Sequence, residues 1–239
     1  MKCGEFDKRN QEYYKNFSVK NYFQKLMGGN NNKTSDQREK VIFDVGAHKG
    51  ESAEFFHEIL PSATIYSFEP NPKTASEVMQ KKIPKNWVFQ LALTDFNGNV
   101  AFNIQDISHL SSLAPINRSS RDSLGYAERE EHECIKVEAI RGDEFVNRHQ
   151  ISLIDLLKID VQANEVKTIQ GFSGVISKVK VVFVEVSFYD FYTQKSSIQE
   201  VESALPGFEI YDIYEVSKNP KSLGVDWATL VYKNTAFQD

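Results

Sequence analysis

Three carboxylates stand at the ends of apolar runs. Asp44 lies in Val41-Ile42-Phe43-Asp44-Val45, Glu69 follows Thr64-Ile65-Tyr66-Ser67-Phe68, and Asp160 follows Asp155-Leu156-Leu157-Lys158-Ile159. In an open α/β sheet, ligands bind outside the carboxyl ends of the strands, so acids at several strand ends converge on one crevice. A single acid there is often only the N-cap of the next helix. Three of them along successive strand–helix units point to a pocket. Glu69 sits 25 positions after Asp44, at the end of the second run. An acid placed there accepts hydrogen bonds from both hydroxyls of a nucleotide ribose and repels a 2′-phosphate. A nucleoside without that phosphate is the expected ligand.

The turn after the first run carries Gly46 and Gly50, with Ala47 and His48 between them. A strand, a glycine turn and a helix start form the opening of a nucleotide-binding βαβ unit. Glycine lets a ligand approach bare backbone, and the helix N-terminus adds unpaired N–H groups and the positive end of its dipole. A fold that embraces pyrophosphate wants G-x-G-x-x-G. This turn departs from it, and Asp44 would repel pyrophosphate. The turn suits a cationic ligand, such as the ammonium of a methionine moiety.

The elements that must position these residues follow from pattern. Continuous apolar runs at 41–45, 64–68, 87–92, 155–161 and 180–186 read as strands, the central ones buried on both faces. Between them, helices are expected over 51–60, ended by Pro61, and over 73–81, 164–170 and 197–205. Shorter strands are expected at 100–104 and 134–139, and a short helix over 142–147. The late strands at 208–214 and 227–232 have no helix-length segment between them and read as an antiparallel pair at one sheet edge. This makes an α/β fold of Rossmann-like type, with a mostly parallel central sheet and an antiparallel edge strand. Residues 105–133 are polar and without period, and a connection this long is expected to be a functional lid or a disordered segment. It holds His109, Ser111, Ser112, Arg118 and Arg121. The aromatic residues over 8–27 have helical spacing, and Gly28 to Ser35 reads as a linker. The chain is therefore divided into an N-terminal helical segment and linker, 1–36, and a catalytic domain, 37–239.

Composition bounds the function. The chain has 239 residues, 26% of them charged, and a net charge of −5, which counts against nucleic acid as the main partner. No apolar run is long enough for a membrane span, and the N-terminus lacks the apolar core of a signal peptide. Cys3 and Cys134 make neither a disulfide framework nor a metal site, and no other cluster has metal-ligand spacing. A reducing, cytoplasmic setting is expected.

At this point the chain resembles the FkbM-type methyltransferases. The resemblance is carried by Asp44-Val45-Gly46-Ala47-His48-Lys49-Gly50, Phe68-Glu69-Pro70-Asn71-Pro72, Leu91-Ala92-Leu93-Thr94-Asp95 and Asp155-Leu156-Leu157-Lys158-Ile159-Asp160-Val161, in that order. It covers about residues 40–232. It implies a class I methyltransferase fold, S-adenosylmethionine as cofactor, and methyl transfer to a hydroxyl of a sugar, glycan or natural product. One departure stands out. Where the family has Glu-Gly after this last motif, this chain has Gln162-Ala163.

On this reading Asp44, Gly46, Ala47, His48 and Gly50 would hold the methionine end, Glu69 and Pro70 the ribose, and Ala92 the adenine. Asp160 is the expected contact to the acceptor hydroxyl or its base, and His109 the second candidate. Ser111, Ser112 and Glu185 fall on the acceptor side, and Arg118 and Arg121 could grip an anionic acceptor. Two rivals stay open: an NAD-linked oxidoreductase, and a scaffold that keeps the fold and has lost transfer.

Overall fold

The computed structural model describes residues 19–27, 38–120, 132–219 and 224–237. The chain divides into two units, Met1–Arg38 with Asp239, and Glu39–Gln238. In the first, helix α1 spans Val19–Leu26. The rest of the helical pattern expected over 8–27, with Tyr13, Tyr14 and Phe17, lies outside the described residues, as does the linker.

The second unit is built on a seven-stranded sheet. Its strands are β1 (Val41–Val45), β2 (Thr64–Phe68), β3 (Asn86–Phe89), β7 (Ile154–Ile159), β8 (Val179–Ser187), β9 (Phe208–Lys218) and β10 (Val225–Asn234). They lie in the order β3-β2-β1-β7-β8-β10-β9. The first five are parallel, and β10 runs antiparallel between β8 and β9. The late pair thus forms at one edge, as its missing crossover helix requires. This is the arrangement expected from the sequence, a mostly parallel central sheet with an antiparallel edge.

Burial explains the strand sequences. β1, β7 and β8 are covered on both faces and read as near-continuous apolar runs. Their core includes Phe43, Phe68, Leu157 and Val184. Helix α4 (Gly142–Arg148) drives Phe145 edge-on into Phe68 and Phe89, each with ring centroids 4.8 Å away. Such pairs add about 0.5–1.5 kcal/mol each beyond area burial. Helices α2 (Glu51–Ile59), α3 (Pro72–Lys81), α5 (Glu165–Gly171) and α6 (Ile198–Ala204) complete the layers. A capping box, Ser197 with Glu200, starts α6.

A second sheet was not expected. The run at 87–92 breaks at Gln90, where the Leu91 N–H donates to the Phe89 carbonyl at 3.0 Å. The chain then leaves the main sheet as β4 (Ala92–Thr94) and joins β5 (Gly98–Gln105) and β6 (His132–Arg141) in the order β4-β6-β5. The described part of the expected lid is ordered on this sheet. It holds a short 3₁₀ turn, Ser108–Leu110, and isolated bridges Asn103–Ser112 and Ile116–Tyr192. Leu110, Ala114 and Ile116 pack with Phe191 and Tyr192. Arg121 lies outside the described residues.

Candidate active site

A cleft of about 510 Å³ opens at the carboxyl edge of the parallel strands. Strand order sets its layout. β2, β1, β7, β8 and β10 present Glu69, Gly46, Asp160, Glu185 and Trp227 in a row, and all five line the cleft.

At one end, the glycine turn and Glu69 are locked together. The Gly46 and Ala47 N–H groups both donate to the Phe68 carbonyl at 3.0 Å. The His48 N–H donates to Glu69 Oε2 at 2.8 Å, and the Asn71 N–H donates to Oε1 at 2.9 Å. The Thr74 side chain also hydrogen-bonds this carboxyl, which still lines the cleft. Burial raises the Glu69 carboxyl to about 7, against the lowering effect of those N–H donors. The His48 ring sits between Ser108, at 2.7 Å from Nε2, and Glu51, at 3.3 Å from Nδ1. Pro70 lines this end too, and beside it Leu91, Ala92, Leu93 and Phe102 give an apolar wall.

The glycines serve packing. A Cβ on Gly46, whose φ is +81°, would lie 1.8 Å from the Asp160 carbonyl oxygen, so the close approach of β1 and β7 ends demands glycine. Gly50 has φ +85° and enters α2, where a Cβ would meet Val78 at 3.0 Å, and it does not line the cleft. Gly46 lines the cleft and Gly50 does not.

Asp44 does not line the cleft. It is fully buried behind the cleft wall, outside the lining. Its Oδ1 pairs with Lys158 Nζ at 2.9 Å, and among the described residues no donor reaches Oδ2. Lys158 does line the cleft. Its ammonium donates to the Gly46 carbonyl at 3.0 Å and lies 3.8 Å from Asp160 Oδ2. Burial works against the Lys158 charge, but Asp44 and then Asp160 outweigh it and hold the pKa above the lysine range.

In the middle of the cleft, Gln162 joins two acids. Its Nε2 donates to Asp160 Oδ1 at 2.8 Å and to Glu185 Oε1 at 3.1 Å. Its Oε1 lies 3.0 Å from the Tyr192 hydroxyl, which also reaches the Leu110 carbonyl at 3.0 Å. Burial, then the Asp160 charge, pushes Glu185 up to about 8. Buried Glu165 is raised to about 7, by burial first, while its Oε1 accepts from the Ala163 N–H. Gln162 and Ala163 have φ of +54° and +77°, the left-handed region that glycine fills most easily.

His109 and Ser111 line the cleft, the former exposed at its rim. Ser112 does not. It is buried, its hydroxyl donates to the Gln162 carbonyl, and it receives the Ala114 N–H at 2.9 Å. It fastens the segment after β5 to the loop after β7. Arg118 is exposed and away from the cleft lining. Sequence reasoning missed Lys158, Gln162 as a bridge, Tyr192 and Trp227. A signal for Lys158 existed: Lys158 stands two places before Asp160 as Asp44 stands two before Gly46, so parallel strands ending level set them side by side.

Residues 44–211 match the family model described as the methyltransferase FkbM domain. The chain belongs to that family. Similar to this FkbM chain is 2-O-methyltransferase NoeI of Sinorhizobium fredii, 25% identical over 181 residues, spanning 73% of this chain and 74% of that protein. Hexuronic acid methyltransferase AglP of Haloferax volcanii is 22% identical over 153 residues, which are 63% of this chain and 57% of AglP. A solved structure, precorrin-6y C5,15-methyltransferase from Geobacter metallireducens, superposes with a TM-score of 0.45 at 10% identity, over 90% of this chain and 87% of that one.

The protein is an S-adenosylmethionine-dependent methyltransferase, not an NAD-linked oxidoreductase. Its cleft fits that cofactor. Glu69 presents a carboxyl to the cleft that a diol can reach, an apolar wall adjoins it, and Glu51, Glu69, Asp160 and Glu185 give the lining an acidic character that suits a sulfonium. No helix among the described residues is long and apolar enough to cross a membrane.

Proposed function

We propose that the enzyme methylates a hydroxyl of a sugar, free or within a glycan or natural product. Glu69 holds the cofactor's ribose, the backbone of Gly46, Ala47 and His48 faces its methionine end, and Ala92 with Leu91 and Leu93 covers the adenine. The cofactor supplies a methyl group already activated for displacement. The protein's work is therefore to align the acceptor and take its proton. Asp160 takes that proton. Its Oδ1 is turned by Gln162, and its Oδ2 faces the Lys158 ammonium at 3.8 Å. His109, at the rim, is the second candidate base.

The observation that carries this reading is the joint placement of Glu69 and Asp160 in one cleft, one strand either side of the Gly46 turn. The names of the two curated relatives, one a 2-O-methyltransferase and one a hexuronic acid methyltransferase, support a sugar as acceptor. The test is methyl transfer from labelled S-adenosylmethionine to a panel of methyl glycosides. Label in the sugar that survives mild alkali marks an ether and supports the proposal. Label that alkali releases as methanol marks a carboxyl ester and contradicts hydroxyl methylation. Label that enters only nucleic acid or protein contradicts the sugar.

A further inference from the structure

We propose that the acceptor end of the cleft selects an uncharged sugar ring and discriminates against uronic acids. The proposal rests on the sugar reading above and narrows it.

The acceptor end is made by β8, β10 and the segment after β8. Trp227 pairs in register with Ser187, and both line the cleft with Tyr189. Two aromatic side chains at one wall offer flat apolar faces that the C–H face of a pyranose can cover. The polar groups opposite are acceptors. Asp160 and Glu185 present carboxyl oxygens, and Asp226 adds another acid. Hydroxyls are donors, so a ring of neutral hydroxyls satisfies these oxygens directly, by charge-assisted bonds.

Among the described lining residues six are acids and two are lysines, with His48 and His109 beside them, so an acceptor carboxylate meets mostly like charge. Among the described lining residues the only lysines are Lys158 and Lys195, and none is an arginine. Lys158 is committed to Asp44 and the Gly46 carbonyl. Lys195 is ion-paired with Asp190 at 2.5 Å. His48 is held between Ser108 and Glu51. Arg118, the described arginine of the segment after β5, stands outside the lining. The amide of Gln162 already gives its two protons to Asp160 and Glu185. A further negative charge would enter a partly desolvated site beside the Asp160 carboxyl, with Asp226 in the same lining.

The experiment compares kcat/KM at pH 7.5 for three acceptor sets, with labelled S-adenosylmethionine as donor: methyl glycosides of neutral hexoses, the matching hexuronic acids, and those acids as uncharged methyl esters. Neutral glycosides are expected to exceed the acids by about 10-fold or more, the scale of an unmatched polar group in a site. The esters are expected to recover most of that gap. Acids equal to or better than neutral sugars would overturn the inference and leave the sugar reading standing. Esters as poor as the acids would overturn charge as the cause, and the inference with it. Transfer to none of the three, with cofactor binding intact, would overturn the sugar reading itself and take the inference down with it.

Discussion

Asp44 on β1 and Lys158 on β7 face each other in register, and their charged atoms lie 2.9 Å apart. The pair joins the two central strands just beneath the cleft floor. Through the Gly46 carbonyl and Asp160, Lys158 also ties together the two turns that begin there.

Removing one partner leaves the other charge buried. Lys158→Met should destabilise the protein by about 3–5 kcal/mol, because an uncompensated Asp44 remains. The double change Lys158→Met with Asp44→Asn should regain at least half of that loss. Denaturant unfolding checks both. A single mutant as stable as wild type would show that the pair is dispensable. The pH dependence has a defined sign. Because the pair raises the Lys158 pKa, its contribution is fully present below the ordinary lysine range and is lost only as pH rises through the raised value.

The acids of the cleft act in the opposite sense. Burial holds Glu69 and Glu165 at about 7 and Glu185 at about 8. An unfolded chain has them near about 4.3. The folded state therefore binds these protons more tightly. Their contribution is full below the unfolded value and is lost as pH rises from there to 7 or 8. Thermal melts of the cofactor-free protein should fall between pH 5 and pH 8, by up to about 1.4 kcal/mol per pH unit for each group within its window. Glu185→Gln should flatten the upper part of that fall. An identical slope in the variant would contradict the assignment to Glu185.

Ala163 carries a φ of +77° where the family places glycine. A left-handed alanine costs roughly 1–2 kcal/mol, and glycine returns part of it in chain entropy. Ala163→Gly should therefore stabilise by about 0.5–1 kcal/mol, a rise in Tm of a few degrees. A fall in Tm would mean that the alanine methyl, which lines the cleft and packs beside Leu110 and Tyr192, contributes more than its strain removes.

Much of this architecture was legible because apolar runs of strand length ended in turn residues. β1, β2, β7 and β8 lie within a residue or two of where those runs placed them. The acids at their ends gather on one edge because parallel strands all finish there. What escaped was tertiary. The run at 87–92 has one hydropathy but two fates, since a backbone turn at Gln90 is invisible to periodicity. The partner of Asp44, 114 positions away, is seen only when β1 and β7 are laid side by side. Gly46 reads the same in sequence whether a ligand or the Asp160 carbonyl fills the space beside it. Gln162, which differs from the family's acid, became interpretable only when Glu185 was found across from it. There the amide donates to two acids, a role that a third carboxylate would have to be protonated to share.

The roles of Glu69 and Asp160 separate most cleanly by calorimetric titration with S-adenosylhomocysteine, alongside turnover. Glu69→Ala should weaken binding by about 1–3 kcal/mol, the worth of a lost hydrogen bond to a charged group. Asp160→Asn should bind nearly as wild type, while its methyl-transfer rate falls by about 100-fold or more, as for loss of a general base. Unchanged affinity in a folded Glu69→Ala protein, or equal losses of affinity and turnover in Asp160→Asn, would contradict this division of the cleft.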